Sequence, residues 1–216
     1  MKQRNFIIFV LLFVLTASLL IGCSETPTKN TYSVTLYLNN GQKEIVKTVE
    51  ENSTFNMSEF SNLTHFKTSL EFDCWCIDST LKIKAPTNPT ITTNTTLYAR
   101  WKLKQGYSTV EVYSGSMSAR NILSGDTIIV KAHSESNIYE LGDILIYNIE
   151  NPSATICHEI VEITTHNEEV CYKTKGANND EVDTYCVHSS QIVGEVVELY
   201  MRNGQITTEE INFNKN

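Results

Sequence analysis

Ser124-Gly125-Asp126-Thr127-Ile128-Ile129-Val130 sets a glycine-aspartate turn directly against a run rich in β-branched residues, and Leu141-Gly142-Asp143-Ile144-Leu145 repeats the arrangement further on. In each, glycine supplies a backbone angle that other residues resist, and aspartate caps the turn before the strand begins. Apolar or alternating runs on either side read as strands at 108–113, 127–131, 144–148, 156–163, 169–174 and 192–199, with a further turn at Gly176-Ala177-Asn178-Asn179. Helix signals are weak here. Residues 106–200 therefore read as an all-β unit, followed by a polar tail, 201–216, with room for an edge hairpin.

A second β unit precedes it, at 31–103. Tyr32-Ser33-Val34-Thr35-Leu36-Tyr37-Leu38 alternates as a half-buried strand, stops at Asn39-Asn40-Gly41 and resumes through 44–49, which is a hairpin signature. Phe55, Phe60 and Leu63 are the expected buried positions of a short helix or loop. A strand pair follows at 70–77 and 96–102, separated by a Thr/Asn/Pro-rich loop containing Pro86 and Pro89. The stretches 32–38, Phe72-Asp73-Cys74-Trp75-Cys76-Ile77-Asp78 and Leu97-Tyr98-Ala99-Arg100-Trp101-Lys102 resemble the Listeria-Bacteroides repeat, a small β-grasp-like module of bacterial surface proteins. The resemblance implies a spacer or adhesive role and no chemistry. It departs from the family in having Cys74 where a glycine usually precedes the first tryptophan, and in being a single copy. Trp75 and Trp101 read as core residues rather than ligand platforms.

Residues 1–22 have a basic start (Lys2, Arg4), a short apolar core and a small-residue ending before Cys23, the layout of a secretory signal. The apolar core is short for a membrane-spanning helix, which needs about 20 residues. Leu20-Ile21-Gly22-Cys23 resembles the lipobox of bacterial lipoproteins, which implies lipidation of Cys23 and a membrane anchor behind the tether 23–30. The alternative is an uncleaved signal anchor. Both readings put the remainder on the outer face of the bacterial cytoplasmic membrane. Loss of Lys2 and Arg4 takes the net charge from −8 to −10, a surface that repels phosphate backbones and argues against nucleic acid as a partner. With Cys23 lipidated, Cys74, Cys76, Cys157, Cys171 and Cys186 remain, and five thiols cannot all pair within one chain. A Cys171–Cys186 bridge is compatible with the sequence. A Cys74–Cys76 bridge within one strand would be badly strained. No second ligand pair follows Cys74-Trp75-Cys76 at finger-like spacing, so neither a metal nor another cofactor is expected.

The chemistry-bearing motifs fall in the second unit, in a fixed order. Ser114-Gly115-Ser116-Met117 comes first, then the two glycine-aspartate turns, then His158 heading a strand, Thr174-Lys175-Gly176, Asp183, and Ile192-Val193-Gly194-Glu195-Val196-Val197. This series resembles signal peptidase I, and within it the branch in which histidine replaces lysine as the base. The fold expectation is thus mainly β: a small β-grasp-like module followed by a signal-peptidase-like all-β domain. By position, Ser116 corresponds to the nucleophile, His158 to the general base and Asp183 to the group that orients the histidine. Histidine suits the role because its ordinary pKa of about 6.5 leaves it mostly free to accept a proton at neutral pH. Ser114, two residues before Ser116 on an extended segment, leans to the same face and joins the Ser116 backbone N–H as a candidate oxyanion donor. Asp126 and Asp143 read as turn caps. Cys157 is expected on the strand face away from His158. His65, His133, His166 and His188 read as surface residues. Lys131 and Lys175 are the lysines available for a serine-lysine dyad, with Lys131 too close in sequence to fit the usual slot.

Three positions depart from the family pattern: Ala119 in place of proline, Glu159 in place of the arginine after the histidine, and Ala177 in place of an aspartate. The expectation for Glu159 is an anion beside the base. Two functions compete. One is a membrane-anchored serine endopeptidase that cuts an exported polypeptide bound as an extended strand. The other is a non-catalytic surface lipoprotein that uses a degenerate peptidase fold for binding or attachment.

Overall fold

The computed structural model describes residues 29–150, 153–166 and 168–213. The leader, Cys23 and most of the tether lie outside the described residues. The fold is mainly β, as the sequence leads one to expect, with three one-turn 3-10 helices among the described residues. Among the described residues no helix is long and apolar enough to cross a membrane.

The first sheet is built from β1 (Thr31–Tyr37), β2 (Ile45–Glu50), β4 (Leu70–Cys76) and β6 (Thr95–Leu103), in the order β2-β1-β6-β4. A two-stranded ladder of β3 (Ser53–Thr54) and β5 (Thr90–Ile91) stands beside it. The β1-β2 and β4-β6 pairs are antiparallel, as turn chemistry and alternation suggest. The central β1-β6 pair is parallel, and a pairing between segments so far apart leaves no local signal in the sequence. Val34, Leu36, Trp75, Leu97 and Ala99 point into one core. Trp75 is buried, and Trp101 packs half-buried against the same core with its indole N–H donating to the Leu38 carbonyl at 2.8 Å. Phe55 is buried, Phe60 and Leu63 are half-buried, and Met57 in the 3-10 turn Met57–Phe60 is buried with them.

The second sheet is antiparallel throughout. It comprises β7 (Tyr107–Glu111), β8 (Thr127–Ala132), β9 (Ile144–Glu150), β10 (Ser153–His166), β11 (Glu169–Lys175) and β12 (Ile192–Arg202), in the order β11-β10-β9-β12-β8-β7. The short β13 (Gln205–Ile206) folds back on β12 as an edge hairpin. The two glycine-aspartate turns are built alike. Gly125 and Gly142 take φ of 89° and 87°. Asp126 accepts from the Leu123 N–H at 2.7 Å and Asp143 from the Glu140 N–H at 2.8 Å, each reaching back three residues. β9 is buried on both faces: Ile144 and Ile146 enter one apolar cluster, Leu145 and Tyr147 the other. Each fully buried side chain of this size contributes about 1.5–3 kcal/mol, which makes β9 the anchor to which β10, and with it His158, is paired. The polar tail is more than an edge hairpin, because Ile211 is buried in the Ile144 cluster and the Asn212 N–H donates to the Arg120 carbonyl.

One expectation changes, that of the histidines. His65 is buried rather than on the surface, stacked on Phe66 and edge-on to Trp101. His133 and His188 are half-buried, and only His166 of the four is exposed. Cys171 and Cys186 form a disulfide, with Cα atoms 5.6 Å apart. Cys74, Cys76 and Cys157 are free, and the Cys74 and Cys76 sulfurs lie 4.0 Å apart.

Candidate active site

Ser116 stands on the segment that leaves β7, and the residue after it fixes its place. Met117 is 1% exposed and packs with Ile122 and Ile128. The chain then closes a 3-10 turn, Ser118–Arg120, ended by Asn121 at φ 59°, with the Ile122 N–H donating back to the Met117 carbonyl. Ser116 is left half-buried and Ser114 exposed, their hydroxyls 3.3 Å apart.

His158 lies opposite Leu145 in the β10-β9 ladder and shares its face with Tyr147. Its Nδ1 is 2.7 Å from Asp183 Oδ2, and the two side chains are 11% and 12% exposed. The same carboxylate oxygen accepts from Thr174 Oγ1 at 2.7 Å and from Tyr147 OH at 3.2 Å. Tyr147 OH also meets Thr174 Oγ1 at 2.9 Å and Tyr185 OH at 3.2 Å. Burial, and beyond it the Tyr185 hydroxyl and the Asp183 charge, hold the Tyr147 phenol far above its usual pKa, so it stays a proton donor. With Nδ1 donating to Asp183, Nε2 is the free basic nitrogen. It faces Gly176, where an added Cβ would sit 2.9 Å away.

The turn after Gly176 connects the two halves of the site. The Asn178 N–H donates to the Ser116 carbonyl at 2.8 Å, Asn178 Nδ2 donates to Ser118 Oγ at 2.7 Å, and Asn178 Oδ1 accepts from the Ala119 N–H at 2.8 Å. The Ala177 N–H donates to Met117 Sδ at 3.3 Å, and the Ala177 side chain packs against the cluster that contains Met117. Thus His158 and Asp183 are bonded directly, Ser114 and Ser116 are bonded directly, and a single turn ties the pairs together. Among the described residues no hydrogen bond joins Ser116 Oγ to His158.

Glu159 is corrected by its surroundings. It is 4% exposed on the opposite strand face, and Arg120 grips it at 2.6 and 3.0 Å. The charge expected beside His158 is therefore taken up in a buried ion pair under the segment that carries Ser116. Cys157 points to that same apolar side, and burial pushes its thiol up to about 12. Lys131 is exposed on β8, across from Tyr107 and Glu195, while Lys175 stands across from Glu159. Neither hydrogen-bonds to Ser116 among the described residues. No three or more His, Cys, Asp or Glu side chains among the described residues are grouped to hold a metal ion. Tyr147 and Asn178 join the site without having stood out as site residues in the sequence. A tyrosine in a doubly buried strand is itself a signal, since its hydroxyl needs a partner.

The chain is 30% identical over 87 residues to signal peptidase I W of Bacillus subtilis (strain 168), a match covering 40% of this chain and 45% of that protein. The chain thus spans about half the length of the curated relative it matches. The likeness supports a signal peptidase I-like relationship. No protein-family model matches the chain, and no solved structure matches it.

Proposed function

We propose that this chain is an exported serine endopeptidase of the signal peptidase I type, with Ser116 as nucleophile, His158 as general base and Asp183 as the group that orients it. The observation that carries the reading is the 2.7 Å His158–Asp183 contact, with Nε2 turned toward the loop that binds the Ser116 carbonyl. Asp183 fixes the tautomer in which Nδ1 carries the proton and stabilises the imidazolium as it forms. Rotation of the Ser116 hydroxyl away from Ser114 presents its proton to Nε2 as Oγ attacks the scissile carbonyl. The Ser114 hydroxyl and the Ser116 N–H take the oxyanion. The imidazolium gives its proton to the leaving amine, and a water activated by the same nitrogen hydrolyses the acyl-Ser116 ester.

The substrate is an exported polypeptide with small residues before the cut, laid as a strand along β7, an edge strand of its sheet and the one that leads into Ser114. Lipidated Cys23, or an uncleaved signal anchor, holds the protein on the membrane, and the first β module spaces the site from the bilayer. The competing reading, a non-catalytic surface lipoprotein, draws on the Ser116 hydroxyl being bonded to Ser114 rather than to the base.

Cleavage of an internally quenched peptide with small residues before the cut separates the two. Ser116→Ala and His158→Ala are expected to abolish it, and Asp183→Asn to slow it by about 10²–10⁴-fold. Unchanged rates in both of the first two variants sink the enzyme reading.

A further inference from the structure

We infer that the Cys171–Cys186 disulfide is the strap that positions Asp183 against His158, so that the site is assembled only while this bond is formed. The inference rests on the peptidase reading of Ser116, His158 and Asp183.

Asp183 belongs to no strand. The chain leaves β11 at Gly176, makes an excursion and returns alongside β11, with Asp183 on the returning leg. Three residues after Asp183, Cys186 is bonded to Cys171, which is fully buried inside β11. The next residue, Val187, exchanges two backbone hydrogen bonds with Tyr172, both at 2.9 Å. The Asp183 N–H donates to the Thr174 carbonyl at 2.8 Å. The returning leg is therefore registered on alternate residues of one strand, by Tyr172 and Thr174, and locked covalently at Cys171. That register brings Asp183 Oδ2 within reach of Thr174 Oγ1, Tyr147 OH and His158 Nδ1 together.

The other free thiols among the described residues are placed elsewhere. Cys74 and Cys76 are buried in the first sheet, and Cys157 faces the apolar cluster on the far side of β10. Opening the strap takes a dithiol reductant. Its two thiols become a disulfide, and two electrons and two protons pass to the sulfurs of Cys171 and Cys186. What then remains on the returning leg is Val187 in its apolar cluster, Tyr185 packed against that cluster, and a handful of backbone and side-chain hydrogen bonds, while residues 178–182 and 184 of the excursion are exposed. Asp183 loses its fixed approach to Nδ1, and His158 loses the bond that sets its tautomer.

The test uses the full chain, oxidised and after dithiothreitol, with the state of Cys171 and Cys186 read by thiol alkylation and mass spectrometry. The first readout is the exchange-protected Nδ1 proton of His158 by NMR. The second is Ser116-dependent cleavage of the peptide. Reduction is expected to erase the proton resonance and lower kcat at least tenfold with KM within twofold, both recovering on reoxidation. A persistent resonance with kcat within twofold, once the bond is shown open, overturns the inference. A Cys74→Ser, Cys76→Ser, Cys157→Ser triple variant is expected to respond identically, and loss of the response there also overturns it. Should reduction unfold the protein, two glycines inserted between Thr184 and Tyr185 lengthen the strap while leaving the disulfide intact. That variant must lose the resonance, and keeping it defeats the inference. An oxidised protein without Ser116-dependent cleavage ends the peptidase reading instead, while the His158 resonance still decides the strap.

Discussion

Asp183 receives three donors on a single carboxylate oxygen, from His158, Thr174 and Tyr147. With the Cys171–Cys186 bond holding the returning leg on β11, a carboxylate so held cannot rotate without breaking two buried hydroxyl bonds, each contributing about 1.5–3 kcal/mol when one partner is charged. The imidazole is thereby fixed at Nδ1, so Nε2 has little freedom to avoid an intruder. Gly176 is the residue that faces it, and a Cβ there would lie 2.9 Å from Nε2 and 2.6 Å from Asn179 Nδ2. The two contacts differ, because Asn179 is exposed and can swing aside whereas His158 is pinned. Gly176→Ala is accordingly expected to lower kcat by about 10²-fold, and the added Asn179→Ala is expected to restore none of it. Recovery of kcat in the double variant would place the obstruction at Asn179 rather than at His158. The candidates Ser116, His158 and Asp183 stand out in the sequence through the order of the motifs around them. What holds Asp183 does not, since Tyr147 is hidden in an apolar run and Thr174 carries no mark that its hydroxyl faces a carboxylate.

The segment of Ser114 to Arg120 has almost no regular structure of its own and is held from outside, by the turn after Gly176 above and by Glu159 below. The Arg120–Glu159 pair decides whether that segment stays in place. Glu159 is 6% exposed at its side chain, and Arg120, at 23%, supplies the opposing charge in a bidentate grip. Removing one partner of such a pair leaves a buried charge uncompensated, at a cost of about 3–5 kcal/mol. Arg120→Ala is therefore expected to destabilise the second unit by that amount in urea denaturation, whereas the double variant Arg120→Ala, Glu159→Leu recovers most of the loss. A single variant within about 0.5 kcal/mol of the parent shows that the pair contributes little. The strands were legible because their signals are local: alternation, β-branched residues and glycine-aspartate turns. The parallel β1-β6 pair and the insertion of β12 between β9 and β8 were not, because they depend on which distant surfaces bury each other. Glu159 was misread for the same reason, its neighbour in sequence being His158 but its partner in space Arg120.

At the scale of the molecule the two sheets are joined through Glu198, which sits beside a bulge in β12. It accepts from the Thr68 N–H and Thr68 Oγ1, both at 2.7 Å, and from the Ser69 hydroxyl. Alongside it the buried Lys67 reaches the Glu209 carbonyl at 3.2 Å, so the turn at 67–69 is plugged into the second sheet and its tail. Burial by itself would raise the Glu198 carboxyl, but the hydrogen bonds from Ser69 and Thr68 outweigh it and hold the group below the ordinary glutamate range. A carboxylate with a depressed folded-state pKa adds stability that is fully present above its unfolded value, about 4.3, and that is lost as pH falls through the lower folded value. Glu198→Gln is thus expected to cost about 1–3 kcal/mol at pH 7. The difference from the parent should shrink steadily as pH drops below about 4. Both tryptophans, Trp75 and Trp101, belong to the first sheet, so their fluorescence reports that unit alone while circular dichroism reports both. In the parent at neutral pH the two signals should unfold together. In Glu198→Gln the tryptophan transition should separate from the other, as it should in the parent at low pH. Identical transitions in parent and variant at pH 7 would mean that Glu198 does not couple the sheets, and that the first module is a loose tether rather than a rigid spacer for the site.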